Sequence, residues 1–259
     1  MRFLLWNLAA LAAVLLAGSA SAASSDDTIQ AKSGPITVHA IHHASLMLSW
    51  QGKHVLVDPA PLEAKDVDAI AAYKALPTPD VILITHIHGD HFNVAILEAI
   101  AGPKTMIVAP QVVVDALPAA LKARATAMGN GGMLAFTDIP DGTLMAVPMQ
   151  NVTAERLKFH PAGQGNGYIV GVGGKQIYIA GDTEETPVLA KLKNIDVAFV
   201  PMNLPYTETV EAAAKWVTDF KPKIVYPYHY RNADGTKSDL TAFKTQVGGA
   251  SEVRFLNWY

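Results

Sequence analysis

The chain has 259 residues, half of them hydrophobic and 17% charged, with a formal charge of −3 from 20 Lys and Arg against 23 Asp and Glu. That composition supports a sizeable core and excludes a disordered chain. No basic block stands out, which argues against a nucleic-acid partner, and the absence of cysteine excludes disulfides and thiolate metal sites.

The N-terminal stretch "MRFLLWNLAALAAVLLAGSASAASS" has one early arginine, Arg2, an apolar run from Phe3 to Ala17, and small residues ending in Ala20-Ser21-Ala22. This is the pattern of a secretory signal peptide, residues 1–22, cleaved after Ala22. The apolar run is shorter than the ~20 residues that a spanning helix needs. Residues 23–34 are small and polar and read as a flexible leader. Residues 35–259 contain no repeat, no low-complexity tract and no break in composition, so they read as a single domain. The mature chain is expected in the periplasm or outside the cell, with no stable membrane span once the signal is removed.

The domain opens with strands. "ITVHAIHHASLMLSW" is β-rich and partly alternating, "QGK" is a turn, and "HVLVDP" is a further strand ended by Pro59. A helix is expected from Asp66 to Tyr73. "DVILI", Asp80 to Ile84, is a continuous apolar strand of the kind buried on both faces. A helix from Asn93 to Ile100 follows, with Asn93 as its N-cap. "TMIVA" is the next strand, and Val112 to Leu117 and Ala119 to Ala123 have helical character.

The second half repeats this alternation in style but not in sequence. "GYIVGV" and "KQIYIA" form a hairpin around Gly173-Gly174. "DVAFV" is a strand, Val210, Ala213, Ala214 and Val217 follow helical spacing, and "KIVYP" is a strand. Leu240, Phe243 and Val247 mark a last helix and "VRFL" a last strand. Two β-sheets packed face to face with helices outside would satisfy this order, as would one doubly wound sheet.

The densest chemistry lies in "THIHGDH", Thr85 to His91, at the junction between the apolar strand and the next helix. On an extended segment His86 and His88 face the same way, so two imidazoles can grip one ion. Gly89 allows a sharp turn, which would aim Asp90 and His91 at a second point nearby. Histidine with aspartate suits zinc, iron, manganese and similar divalent ions. A His-rich surface loop is the blander reading, and the compactness of the motif weighs against it. Only His160 and His229 remain downstream. His160 lies in the Gly-rich "KFHPAGQGNGYIV". His229 lies in "VYPYHYRN", after a strand, and Asp182 lies at another strand end in "IYIAGDTEE".

Taken in order, "THIHGDH", "HPAGQGNGY", "IYIAGDT" and "YPYHY" resemble the metallo-β-lactamase superfamily of hydrolases, across about Pro35 to His229. The resemblance implies an α/β fold of the αββα sandwich type with a dinuclear site at the rim between the sheets. It implies that His86, His88 and His160 hold one metal, that Asp90, His91 and His229 hold the other, and that Asp182 bridges them. The third histidine departs from the pattern. Related chains often carry it on a strand end soon after a hairpin, whereas here that strand end, "LMAVPMQN", has none. "HVLVDP" matches the superfamily's first motif and gives Asp58 the task of accepting a hydrogen bond from a ligand histidine. Of His42 and His43 in "IHHAS", similarity to H-A-S in related sequences favours His43 as the one facing the pocket.

Two divalent cations are therefore expected, zinc first, with manganese or iron as alternatives. Bound to them, a water is nucleophilic near neutral pH and attacks an ester, lactone, amide or phosphodiester of a small molecule. Asp90 and Tyr206, in "PMNLPYT", are the catalytic candidates for handling the proton. Tyr228, Tyr230 and Arg231 are further donors to an oxyanion or leaving group. The motif series is most similar to the branch of ascorbate-6-phosphate-lactonase-like and N-acyl-phosphatidylethanolamine-phospholipase-like hydrolases. Two rival readings are a mononuclear iron redox enzyme of the same fold and a non-catalytic metal-dependent binding protein.

Overall fold

A computed structural model describes residues 24–61 and 68–259. The expected signal peptide and its cleavage site after Ala22 lie outside the described residues, as do the first residues of the helix expected at Asp66.

Two seven-stranded sheets form, each taking its strands in chain order. The first contains β1 (Asp26–Ile29), β2 (Ile36–His42), β3 (Ser45–Trp50), β4 (Lys53–Val57), β5 (Val81–Leu83), β6 (Met106–Ala109) and β7 (Ala125–Ala127). The second contains β8 (Met133–Ala135), β9 (Thr143–Met149), β10 (Gly165–Val172), β11 (Lys175–Ile179), β12 (Val197–Pro201), β13 (Ile224–Tyr228) and β14 (Glu252–Val253). In each sheet the first four strands run antiparallel and the last three add on parallel. Antiparallel neighbours need only tight turns, such as Gly173-Gly174 between β10 and β11, where both glycines have positive φ. The parallel strands need crossovers, and the helices supply them.

Alternation along the strands sorts the side chains into two cores. Val55, Val57, Val81 and Leu83 point into the large core shared with the second sheet, while Leu56, Ile82 and Ile84 point outward. The outward set is covered by α1 (Ala69–Lys74), α2 (Val94–Ile100), α3 (Gln111–Ala116) and α4 (Ala119–Lys122), through Tyr73, Leu97, Val113 and Leu121. On the second sheet α5 (Val210–Phe220) buries Ala213, Ala214, Trp216, Val217 and Phe220. It packs beside α6 (Leu240–Val247), which buries Phe243 and Val247. α3 and α4 start after Pro110 and Pro118, and the other four helices start where a side chain takes up free N–H groups. Asn93 accepts from Ile96, Thr209 from Ala212, and Asp239 from Thr241 and Ala242. The result is the αββα sandwich, and the single doubly wound sheet is excluded.

Two expectations differ, and two strands carried no expectation. Residues 23–34 do not form a flexible leader throughout, because Asp26–Ile29 is an edge strand paired antiparallel with β2. Its Asp27 carboxylate accepts from Tyr226 Oη at 2.6 Å and Arg254 Nη1 at 3.1 Å, which pins the segment to the second sheet. "VRFL" is a strand only at its start, since β14 ends at Val253. The edge strands β7 and β8 are three residues each, too short to carry a periodic signal.

Candidate metal centre

Every chemically active side chain of the first half sits just beyond a strand end. After β5 the chain runs into Thr85 to His91, and the amides of His91 and Phe92 both donate to His88 O, at 3.0 and 2.9 Å. This carbonyl closes the turn. Gly89 does not have positive φ, and a Cβ there would meet nothing within 4 Å, so the turn does not depend on glycine. His86 and His88 fall on one side as expected, with His86 Nε2 3.0 Å from His88 Nδ1. After β4, Asp58 is fully buried behind this turn. It accepts from Thr85 N at 2.7 Å, Thr85 Oγ1 at 2.6 Å and His91 Nδ1 at 2.8 Å. With Nδ1 donating, the His91 lone pair is at Nε2, which faces the other histidines.

The second half brings the remaining groups to the same rim. Gly181, with φ 67°, carries the chain from β11 to Asp182, and a Cβ on it would come within 2.8 Å of Met149 Sδ and 3.0 Å of Thr85 Cβ. Only glycine fits that approach. Asp182 Oδ2 lies 3.2 Å from His229 Nε2 and 3.5 Å from His160 Nε2, while its Oδ1 lies 3.4 Å from His91 Nε2. His229 Nε2 lies 3.1 Å from His91 Nε2 and 3.6 Å from Asp90 Oδ2. The ring of His160 is held by the Tyr206 carbonyl, 3.2 Å from Nδ1, and Asn151 Nδ2 donates to the same carbonyl at 2.7 Å. The carbonyl can only accept, so Nδ1 donates and Nε2 keeps its lone pair toward Asp182.

His43 completes the cluster. Its Nε2 is 3.2 Å from Asp90 Oδ2, its carbonyl accepts from His229 N at 3.1 Å, and its Nδ1 is 3.0 Å from Tyr259 Oη. His43, Asp58 and His229 all have left-handed backbones, with φ of 58°, 45° and 45°. Such residues cost on the order of 1–3 kcal/mol each and gather at functional sites. A cleft of about 580 Å³ opens over the cluster, and Phe159, Asn203, Tyr206, Arg231 and Asn232 line the rest of it.

The donors fall into three sets, two of which share His86: His86 with His88 and His160, His86 with His91 and Asp182, and His43 with Asp90 and His229. Metal–nitrogen bonds of about 2.0–2.1 Å in a tetrahedron place ligand atoms roughly 3.3 Å apart. The observed separations of 3.0–3.6 Å bracket that value. Asp182 Oδ1 is buried and, among the described residues, accepts no hydrogen bond. A buried carboxylate oxygen without a donor, ringed by imidazole nitrogens, fits a cation.

A family model described as a beta-lactamase superfamily domain matches residues 37–229. The chain belongs to the beta-lactamase superfamily. It is 30% identical over 223 residues to a UPF0173 metal-dependent hydrolase of Pyrococcus abyssi, a match covering 84% of this chain and 95% of that one. A solved metal-dependent hydrolase of Parabacteroides distasonis superposes with a TM-score of 0.77 at 36% identity, covering 90% of this chain and 99% of that chain. A metallo hydrolase of Ignicoccus hospitalis shares the fold, with a TM-score of 0.70 at 23% identity, over 86% of this chain and 95% of its own.

Within this superfamily domain the electrostatics separate the donors. Burial pushes the His86 and His160 imidazoles below their usual range, and burial with His229 brings His43 down to about 4. Burial opposes ionisation of Asp182, but His229 and His91 overcome it and hold the carboxyl well below the usual range. Asp90 behaves alike, with His91, His229 and His43 prevailing over burial, although its side chain is 49% exposed. Burial disfavours the imidazolium of His91, yet Asp182, Asp90 and Asp58 raise it well above normal.

Two proposed proton donors stand elsewhere. Tyr228 is fully buried and its hydroxyl accepts from Gly181 N at 2.8 Å. Tyr230 is buried against the Tyr259 ring, 5.0 Å away between centroids. Neither lines the cleft, whereas Tyr206 and Arg231 do. Sequence reasoning missed Thr85, Asn151 and Tyr259. Thr85 lay inside the quoted motif and could have been read as a partner for Asp58. Asn151 sits at the end of "LMAVPMQN", the strand end where related chains carry a ligand histidine, and here it donates to the Tyr206 carbonyl that receives His160 Nδ1. Tyr259 is 216 residues from His43 and had no local signal.

Proposed function

We propose that the protein is a dinuclear metallohydrolase acting on an ester, lactone, amide or phosphodiester of a small molecule. The observation that carries this is the position of Asp182, whose two oxygens lie 3.2–3.5 Å from His229, His91 and His160. His86, His88 and His160 would hold one divalent cation. Asp90, His91 and His229, with His43 alongside, would hold the other, and Asp182 would touch both. When bound, the pair supplies Lewis acidity and activates water near neutral pH. Zinc suits this donor set, as do manganese and iron.

The chain's own groups do the rest. Asp58 fixes the His91 tautomer, and the Tyr206 carbonyl fixes that of His160. Asp90, the most exposed carboxylate of the cluster, is placed to take up a proton as well as to ligate. Tyr206 lines the cleft with its ring edge-on to Phe159, 5.1 Å between centroids, and its phenol is the donor we assign to the developing oxyanion or leaving group. We further propose export through the N-terminal signal, and a mature N-terminus other than Ala23 would refute that cleavage site.

Metal analysis of protein purified from its own compartment, followed by a panel of esters, lactones, phosphodiesters and β-lactams, tests the reading. Two divalent ions per chain are expected. His88→Ala and Asp182→Ala should abolish turnover of bis(p-nitrophenyl) phosphate or a generic ester while circular dichroism stays unchanged. One iron per chain, or wild-type turnover by both variants with metal bound, overturns it.

A further inference from the structure

The part of the cleft not taken up by the histidine and aspartate cluster presents donors. Arg231 is the only lysine or arginine among the described residues that line it. Its guanidinium lies over the Tyr259 ring, 4.1 Å from the centroid. That ring is fixed in turn, because its hydroxyl is 3.0 Å from His43 Nδ1. The loop bearing Arg231 is also held. Arg231 bridges Lys237 across it, Asn232 N donates to Thr236 O at 2.8 Å, Ala233 N to Leu204 O at 2.9 Å, and Leu204 N to Asn232 Oδ1 at 2.8 Å. Arg231 is therefore held in place before any substrate arrives, so little side-chain freedom remains to be lost on binding. Asn203 adds a second donor. Its Oδ1 accepts from Thr207 Oγ1 at 2.5 Å, which leaves the NH₂ end of the amide for the cleft.

A planar guanidinium and an amide NH₂ lining one cleft can together meet the oxygens of a carboxylate or phosphate. Apart from Phe159, Ala233 and Gly235, the residues lining the cleft carry polar or charged groups, which gives a small substrate several points of recognition. We propose that the substrate is a small polar molecule carrying a carboxylate or phosphate apart from its scissile bond, and that Arg231, with Asn203, binds that anion. The inference rests on the hydrolase reading above, and it assigns Arg231 to substrate selection, not to the proton transfer considered from the sequence.

The test uses the metal-loaded full chain and three 4-nitrophenyl esters of similar length: the butyrate, the hemisuccinate and the 3-phosphonopropionate. Wild type should favour the charged esters over the butyrate by about tenfold or more in kcat/KM, mainly through KM. The larger of the two preferences tells carboxylate from phosphate. Arg231→Gln should cut the charged-to-neutral ratio by about tenfold, and Arg231→Lys should restore part of it. Lys237→Gln is the control for general charge, because Lys237 lies 5.2 Å over the same ring but does not line the cleft, and it should leave the ratio unchanged. The metal pair attracts anions equally in all variants, so the change in ratio isolates Arg231. A ratio that Arg231→Gln leaves intact, or one lowered as much by Lys237→Gln, refutes the proposal. If no ester is turned over, calorimetry with succinanilic acid and neutral butyranilide decides instead. Preference for the acid that disappears in Arg231→Gln upholds the anion site while hydrolysis fails, and the absence of preference refutes the site.

Discussion

Replacing Asp58 with asparagine should detach His91 from the metal centre without touching a ligand. Asp58 is fully buried and accepts three hydrogen bonds of 2.6–2.8 Å, one of them from His91 Nδ1. In Asp58→Asn, Oδ1 can still accept from Thr85 N, but an NH₂ now replaces the oxygen facing Thr85 Oγ1 and His91 Nδ1. The threonine hydroxyl can rotate to accept. The imidazole cannot, unless its proton moves to Nε2, the nitrogen that faces His229 and Asp182 at 3.1 and 3.4 Å. A protonated Nε2 has no lone pair for a cation. Hydrogen bonds to charged groups are worth about 1.5–3 kcal/mol, and losing one to a ligand histidine commonly costs about 10–100-fold in metal affinity. Chelator competition monitored by metal release, on wild type and Asp58→Asn, reads this directly. On the dinuclear reading proposed above, affinity at the metal held through His91 should fall by about 10–100-fold, while the other is held nearly as before. Wild-type affinity at both positions would refute the tautomer argument, and equal loss at both would show general loosening instead.

Two further outcomes are expected. Asn151→Ala removes the amide that donates at 2.7 Å to the Tyr206 carbonyl, the acceptor of His160 Nδ1, so metal held through His160 should weaken by roughly tenfold; unchanged metal binding would mean that the Tyr206 carbonyl alone suffices. Glu208 offers a test of stability against pH. It is 3% exposed, its Oε1 accepts from Glu185 N, and burial, reinforced by Glu185 and Glu184, pushes its carboxyl up to about 8 from 4.5. The folded chain thus holds a proton that the unfolded chain releases, and this contribution, complete below pH 4.5, is lost as pH rises through about 8. The loss amounts to roughly 3–5 kcal/mol. Glu208→Gln should abolish that slope in urea unfolding between pH 5 and 8.5 and be the more stable form at the alkaline end; parallel pH profiles would disprove the assignment.

The amount of the site that could be read from the chain follows how its contacts are spaced. His86, His88, Asp90 and His91 lie within six residues, so one turn gathers them and a local motif suffices. Asp58 was legible only through the resemblance of "HVLVDP" to the superfamily's first motif, since a strand-ending turn before Pro59 would account for an aspartate there equally well. The contacts of His43 with Asp90, 47 residues on, and with Tyr259 left no such trace. Tyr228 and Tyr230 misled because they flank His229. His229 leaves β13 with a left-handed φ of 45°, and the two tyrosines are buried in the core instead of lining the cleft. The leader misled for another reason. Four residues of edge strand gain their order from β2, Tyr226 and Arg254, and the segment's own polar composition gives no hint of them.

Register explains why side chains so far apart in the chain converge. In the second sheet Ile179 pairs with Phe199 and Phe199 with Tyr226, so these three residues lie level across parallel strands. Asp182 and His229 each follow that level by three residues and so leave the sheet at the same rim. In the first sheet Val57 and Leu83 are level, and His86 follows Leu83 by three. Asp58 follows Val57 by only one. It stops short of the rim, stays buried behind the turn and is left to orient His91. Asp182 goes two residues further, through the left-handed Gly181, and its oxygens reach the histidines themselves. Both sheets place a carboxylate after their fourth strand, and the distance it travels past the last rung decides whether it can meet a cation or only steady a residue that does. A Gly181→Ala chain should therefore lose Asp182 from the rim before it loses the fold, since the added Cβ would collide with Met149 and Thr85 at that turn.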